Sequence, residues 1–182
     1  MSVPPNAGRR LFLKQSLVSS LVIATAGCLP SGAYADAQAL QTLSPKEFAI
    51  LEAWLERLIP AADGQPGARD VGLARKFDVE VANWSAQHQS DFKLILAAFE
   101  DFGLVLSGFW GKFTQMSTAT QDRYIEDWMN SGLQLKKQAF MVVKLVGMFL
   151  YYCQDASWPV TGYPGPFDPR FRRPAYDAIE PA

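Results

Sequence analysis

The most apolar stretch of the chain beyond its first 35 residues runs from about residue 133 to 153. Between Ala139 and Tyr152, Lys144 is the one charged residue. This run predicts a helix that is either the central helix of a core or a two-sided helix shared with a partner. Both alternatives require a fold in which other helices pack around it.

Four shorter helical patterns precede this run. Ser44 and Glu47 form a capping box with Pro45 at the first helical position, and Asp70 is expected to cap the second helix. A polar turn is predicted at residues 87–91, before a third helix capped by Ser90 or Asp91. The predicted helices span about residues 45–59, 71–84, 91–107, 117–130 and 133–153. No strand-like alternation persists, so we predict an all-α fold: a single small domain of about five helices.

The N-terminus has the three parts of a bacterial export signal. Its basic start is followed by a short apolar segment, residues 16–26, and by the small residues Ala33 and Ala35. Adjacent arginines indicate the twin-arginine type, which exports folded proteins. The residues of this motif are Arg9, Arg10, Phe12, Leu13 and Lys14. The alternative is an amphipathic helix of the mature fold, but no helical stripe is visible there.

These features predict the domain organisation. Residues 1–35 are the twin-arginine signal peptide, 36–43 a leader, and 44–182 the helical domain, which ends in a tail at 154–182. Cleavage is expected after Ala35, with lipidation of Cys28 as the alternative. The protein is therefore expected in the periplasm.

Composition argues against nucleic acid as a partner. Of the 17 basic residues three fall in the predicted signal, which leaves 14 against 18 acidic residues and a net charge of −4. Phosphate backbones attract basic surfaces, so this balance argues against a nucleic-acid-binding role.

The C-terminal tail combines prolines and glycines with large aromatic side chains. Its prolines and glycines predict an irregular segment, which either wraps its own domain or docks on another protein. Rigid aromatic side chains dominate many protein interfaces. The candidate interface residues are Tyr151, Tyr152, Trp158, Tyr163 and Phe167.

Cys153 is the one cysteine left if the signal is removed. A lone thiol in an oxidising compartment is a liability unless it is buried or bonded to another chain. Cys153 is therefore either a candidate intersubunit disulfide partner or a buried free thiol.

Chemically active groups form no recognisable constellation in this sequence. His88, the one histidine, falls in the predicted polar turn. The neighbouring acids Glu100–Asp101 and Glu126–Asp127 point about 100° apart on a helix, so we predict solvent-exposed side chains there and no carboxylate dyad. Phosphate-binding loops and metal-ligand spacings are also missing. We expect no catalytic, cofactor-binding or metal-binding residue in this chain.

Several short motifs, in their order along the chain, resemble the gluconate 2-dehydrogenase subunit 3 family. They are Leu51–Trp54, Leu58–Ala61, the Pro66–Ala68 turn with Val71–Gly72, and Trp158 with Gly162–Pro166. The resemblance implies the small subunit of a periplasmic or membrane-associated sugar dehydrogenase. Its partner would be a large flavoprotein of the glucose-methanol-choline type that carries FAD. The resemblance also allows a cytochrome c subunit as a further partner. It implies no catalytic residue in this chain.

Two functions follow from these observations. The first is an accessory subunit that binds and stabilises the flavoprotein and carries it to the twin-arginine translocase, with membrane association through its partners. The alternative is a free-standing periplasmic enzyme or small-ligand-binding protein, which would need a site that the sequence does not show.

Overall fold

The computed structural model describes residues 40–62 and 64–164. The predicted export signal, residues 36–39 of the leader, and Phe167 lie outside this part of the chain. Most of the described residues are helical and no β-strand occurs among them, which confirms the all-α prediction. The α-helices are α1 Pro45–Leu58, α2 Leu73–Ala82, α3 Ala86–Asp101, α4 Gly103–Ser107, α5 Thr118–Asn130, α6 Gln134–Tyr152 and α7 Trp158–Thr161. Short 3-10 turns occur at Phe113–Gln115 and Asp155–Ser157.

The start of α1 is as the sequence predicts. The Ser44 hydroxyl accepts a hydrogen bond from the Glu47 amide, and the Glu47 carboxylate accepts one from the Ser44 amide at 2.7 Å. Pro45 occupies the first turn, where its missing N–H costs nothing. This reciprocal cap fixes the point at which the chain enters the domain.

The chain before α1 is attached to α2 by one buried carboxylate. Asp78 accepts backbone hydrogen bonds from Gln41 at 2.6 Å, Thr42 at 3.1 Å and Leu43 at 2.7 Å. Asp78 is 1% exposed, so these amides replace the water that an ionised carboxylate otherwise needs. Leu43 is itself buried, which adds an apolar contact to the attachment.

Two predicted helix starts are wrong. Asp70 does not cap α2, because its carboxylate accepts from the Gly67 amide at 2.8 Å and Gly72, with φ 59°, precedes the helix. The predicted turn at residues 87–91 is the first part of α3, since the Ser85 side chain accepts from the His88 amide. The polar residues that suggested a turn are instead an exposed helical face.

The tail is also more regular than its composition predicts. Asp155–Ser157 forms a 3-10 turn, and α7 follows at Trp158–Thr161. Pro159 does not prevent this helix, because it lies in the first turn, where no intrahelical N–H is required. Gly162 ends α7 with a left-handed φ of 67°.

The core forms where α6 packs on α1, α2 and α5. Its centre is an aromatic cluster in which Trp54 of α1 stacks on Phe99 of α3, and Trp128 of α5 meets both rings edge-on. Tyr124 closes the cluster, and its hydroxyl donates to the Phe99 carbonyl at 2.9 Å. These large rings bury enough apolar surface to hold α1, α3 and α5 together.

The described helices can be compared with the length and hydropathy that a membrane span requires. Within the described part of the chain, no single helix is long and apolar enough to cross a bilayer. The bent pair formed by Gln134–Tyr152 and Asp155–Thr161, at 90° to each other, meets the length and composition requirement only when taken together.

Candidate partner-binding surface

The C-terminal end of α6 is fixed to the domain by Tyr151. Its side chain is 1% exposed, and its hydroxyl donates to the Pro66 carbonyl at 2.7 Å. This placement corrects the expectation that Tyr151 contributes to a partner surface. Its ring fills the core because the side chain points back towards the loop between α1 and α2.

Gln154 provides a second attachment at the same end. Its side-chain oxygen accepts from the buried Lys76 of α2 at 2.5 Å, and its side-chain nitrogen donates to the Leu150 carbonyl at 3.1 Å. The buried Ser157 hydroxyl then donates to the Gln154 carbonyl at 2.8 Å. The segment after α6 is therefore held in one conformation by hydrogen bonds shielded from water.

Four predicted site residues come together on the outside of this fixed segment. The Trp158 indole N–H donates to the Tyr152 carbonyl at 3.1 Å, and the Trp158 ring meets Tyr163 edge-on, with centroids 5.3 Å apart. Tyr152 and Tyr163 are exposed. Cys153 lies between them in sequence, and it is also exposed. We call Tyr152, Cys153, Trp158 and Tyr163 the C-terminal patch.

The exposure of Cys153 tests one of the two alternatives for this thiol. A buried free cysteine is wrong, because Cys153 is unpaired and exposed in this chain. Its side chain is accessible to another subunit. The intersubunit disulfide stays a prediction.

Other predicted site residues are not described structurally. The export motif Arg9, Arg10, Phe12, Leu13 and Lys14, the cleavage residues Ala33 and Ala35, and Phe167 all lie outside the described residues. Their roles remain predictions from sequence.

The sequence did not reveal which side of α6 faces outwards. Its buried side carries Phe140, Val143 and Leu150. The opposite side carries Met141, Leu145, Phe149 and Tyr152, which are between 44% and 59% exposed. We call these four residues the outer face of α6. The alternative of a two-sided helix matches this arrangement. The sequence signal for it was the run from Ala139 to Tyr152, in which Lys144 is the one charged residue.

The neighbouring acids Glu100 and Asp101 are not the solvent-exposed pair that the sequence suggested. Glu100 is buried and accepts from the Thr114 amide at 3.0 Å and the Thr114 hydroxyl at 2.6 Å. Burial raises the pKa of Glu100, partly offset by these hydrogen bonds. Asp101 is paired with Lys46 at 2.9 Å and lies 3.8 Å from Lys112. Both carboxylates therefore join α3 to neighbouring segments.

Asp127 forms a further ion pair between helices. Burial acts to raise the pKa of Asp127, but hydrogen bonds from Lys136 and Ser107, together with the Lys136 charge, outweigh it and leave this pKa below its ordinary value. The Lys136 ammonium also donates to the Ser107 hydroxyl at 2.9 Å. Lys136, Asp127 and Ser107 therefore connect the start of α6 to α5 and α4, and their role is structural.

Catalytic groups do not converge in the described part of the chain. No three potential metal ligands of the His, Cys, Asp or Glu type meet there. His88 is exposed on α3. A groove of about 220 Å³ beside α1 and α2 is lined by apolar residues, by Arg75, and by the ion pair of Arg69 with Glu52 at 3.3 Å. Its lining has no histidine, cysteine or hydroxyl group.

Comparison with known proteins identifies the family. No curated protein and no solved structure matches the chain significantly. The family described as gluconate 2-dehydrogenase subunit 3 matches residues 45–165, which include every described helix and the C-terminal patch. Because this match covers more than half of the sequence, the chain belongs to the gluconate 2-dehydrogenase subunit 3 family.

Proposed function

We propose that this chain is a non-catalytic accessory subunit of a large FAD-dependent sugar, polyol or aldonate dehydrogenase of the glucose-methanol-choline type. It binds and stabilises that flavoprotein and supplies the signal that exports both through the twin-arginine pathway. Support comes from its family, whose name is that of a dehydrogenase subunit.

The observation that carries this proposal is the contrast between interior and surface. The buried polar groups described above join helices, whereas exposed aromatic and aliphatic side chains cover the outer face of α6 and the C-terminal patch. Contiguous apolar surface of this kind on a small domain marks a site of protein contact. Such a subunit acts by binding.

The cofactor belongs to the partner in this proposal. FAD is held by the large subunit, and a cytochrome c subunit is a further partner that receives its electrons. The twin-arginine route suits such a cargo, since it transports proteins that have already folded. The assembled complex resides in the periplasm and reaches the membrane through its partners.

Replacing both arginines of the predicted motif tests the export role. In Arg9→Lys/Arg10→Lys, we expect the small subunit and the flavoprotein to remain in the cytoplasm, because lysine keeps the charge but not the guanidinium geometry. The measurement is dehydrogenase activity and flavin content in periplasmic and cytoplasmic fractions.

The matched control changes the adjacent arginine pair near the C-terminus, Arg172→Lys/Arg173→Lys, which keeps the same number of substitutions. Export is expected to continue in this control. Normal export of the flavoprotein in Arg9→Lys/Arg10→Lys would contradict the proposed carrier role.

A further inference from the structure

The outer face of α6 forms one continuous apolar stripe. Met141, Leu145, Phe149 and Tyr152 follow each other at four-, four- and three-residue spacing, which places them on the same side of a helix. At 1.5 Å per residue this stripe is about 16 Å long. Because Tyr152 also belongs to the C-terminal patch, the stripe continues to Trp158, whose indole N–H reaches the Tyr152 carbonyl.

Lysine borders this stripe on one side. Lys137 and Lys144 are seven residues apart, so they lie on the same flank of α6. The helix carries no acidic residue between Gln134 and Tyr152. Its third lysine, Lys136, points inwards to Asp127 and Ser107. The exposed surface therefore combines an apolar centre with a cationic edge.

We propose that the outer face of α6 is the docking surface for the large dehydrogenase subunit, which meets it with an apolar patch edged by acidic side chains. This inference rests on the proposed function. The partner's acids would face Lys137 and Lys144, while Leu145 and Phe149 insert into its apolar patch.

Charge favours this occupant over a second copy of the chain. If two α6 faces paired with each other, each lysine edge would meet a helix that has no acidic residue, so neither α6 would supply an opposite charge to the lysines of the other. A different protein can supply the missing acids. The fixed conformation of the C-terminal patch, held by Tyr151 and Gln154, also lowers the entropic cost of docking a rigid partner.

Photo-crosslinking from Phe149 tests proximity directly. A photoreactive phenylalanine analogue replaces Phe149 in the full chain, expressed together with its dehydrogenase in the native host. We expect an adduct that contains peptides of the flavoprotein. The matched control places the same analogue at Trp110, an exposed aromatic residue after α4, where no such adduct is expected.

Any crosslinked adduct other than the expected one with the flavoprotein also has a defined interpretation. An adduct with a second copy of the chain, with lipid or with the chain's own residues 165–182 would overturn the inference. Equal flavoprotein adducts from Phe149 and Trp110 would also overturn it, because the contact would not be specific to α6.

Charge insertion supplies a second, quantitative measurement. Leu145→Glu should lower the flavin that copurifies with the tagged small subunit by about tenfold or more, since a carboxylate would be desolvated at the centre of the contact. Val105→Glu is the control, because Val105 is exposed on α4 and is also aliphatic. Lys144→Glu should cause a smaller loss, about threefold, as expected for a charge at the rim of an interface.

The two proposals fail in different ways. If the unmodified chain copurifies with no flavoprotein, the proposed function is wrong and this inference falls with it. If the unmodified chain, Leu145→Glu and Val105→Glu retain equal amounts of flavoprotein, only the docking face is wrong. Equal soluble yield and far-ultraviolet circular dichroism of the variants verify that the helical domain is folded.

Discussion

Glu100 is a buried acid in a core made largely of aromatic rings. It keeps two hydrogen bonds from Thr114, yet burial still raises the pKa of its carboxyl group above the ordinary value of 4.5. The folded chain therefore binds this proton more tightly than the unfolded chain does. By linkage, Glu100 makes the free energy of unfolding decrease as the pH rises from about 4.5 through the pKa of the folded state.

Glu100→Gln removes this titration and can keep a hydrogen bond to Thr114. We expect the free energy of unfolding of this variant, relative to that of the unmodified chain, to increase as the pH rises across that interval. Denaturant unfolding at a series of pH values measures the difference. Glu126→Gln on α5, where the side chain is exposed, is the control. An identical pH dependence in Glu100→Gln and the unmodified chain would show that Glu100 does not act in this way.

Cys153 is exposed beside Tyr152, at the junction of the outer face of α6 and the C-terminal patch. If it is bonded to the flavoprotein, non-reducing electrophoresis of the purified complex should show one band of combined mass that reductant splits. Cys153→Ser should abolish this band and make activity more sensitive to heat, because dissociation is then possible. Cys28→Ser is the control for the chain's other cysteine. Separate bands without reductant, with unchanged heat resistance in Cys153→Ser, would refute the cross-link.

At the scale of single residues, the sequence predicted contacts between near neighbours better than contacts across the fold. The Ser44 cap was predictable because both partners lie within one turn. The burial of Glu100 was not, because Thr114 lies 14 residues away and two adjacent acids in a helix are ordinarily solvent-exposed. The internal position of Tyr151 depends similarly on Pro66, 85 residues earlier in the chain.

At Gly147, the packing of α6 against α1 leaves little space. A Cβ atom built on Gly147 would lie 2.7 Å from Cδ2 of Leu55 on α1. Leu55 is buried, so it has little room to move. Gly147 thus allows the close approach of α6 and α1, despite the weak helix propensity of glycine.

Gly147→Val should therefore separate α6 from α1 and lower the free energy of unfolding by about 1–3 kcal/mol. Thermal unfolding followed by circular dichroism measures this loss. Gln138→Val, at an exposed position of α6, tests the effect of a β-branched residue on the helix alone and should cost less than about 1 kcal/mol. Equal losses in the two variants would mean that contact with Leu55 is unimportant.

Helix positions were predictable where a cap and an apolar stripe agree, as in α1. The start of α3 was misplaced because its first turn is polar on every side, so no stripe marks it until Phe92. For α6 the position was predictable but the orientation was not. Both of its sides are apolar, and only the packing of α1, α2 and α5 determines which one is buried.

For the whole molecule, the all-α class and the family were accessible from sequence, because both depend on patterns read along the chain. The partner-binding surface was accessible only in part. Aromatic composition pointed to the C-terminal segment, but the outer face of α6 became visible only when the other helices covered its opposite side.

The predicted cleavage of the N-terminal signal can be tested on the whole protein. Intact-mass measurement of the protein recovered from the periplasmic fraction should give a chain that starts at Asp36, because Ala33 and Ala35 place small residues at both positions that signal peptidase recognises. Ala35→Leu should block this cleavage, whereas Ala37→Leu, just after it, should not. A lipid-modified N-terminus at Cys28 would contradict the predicted cleavage site.

If the chain is exported as proposed, the attachment of Gln41, Thr42 and Leu43 to Asp78 limits the distance between the folded domain and the predicted cleavage site. Between the predicted cleavage point and Gln41 lie only residues 36–40, and five residues span at most about 18 Å when fully extended. While the signal is attached, the folded domain is held within this reach of the peptide bond to be cut. Any large subunit it carries must therefore leave that side of the domain open to the peptidase.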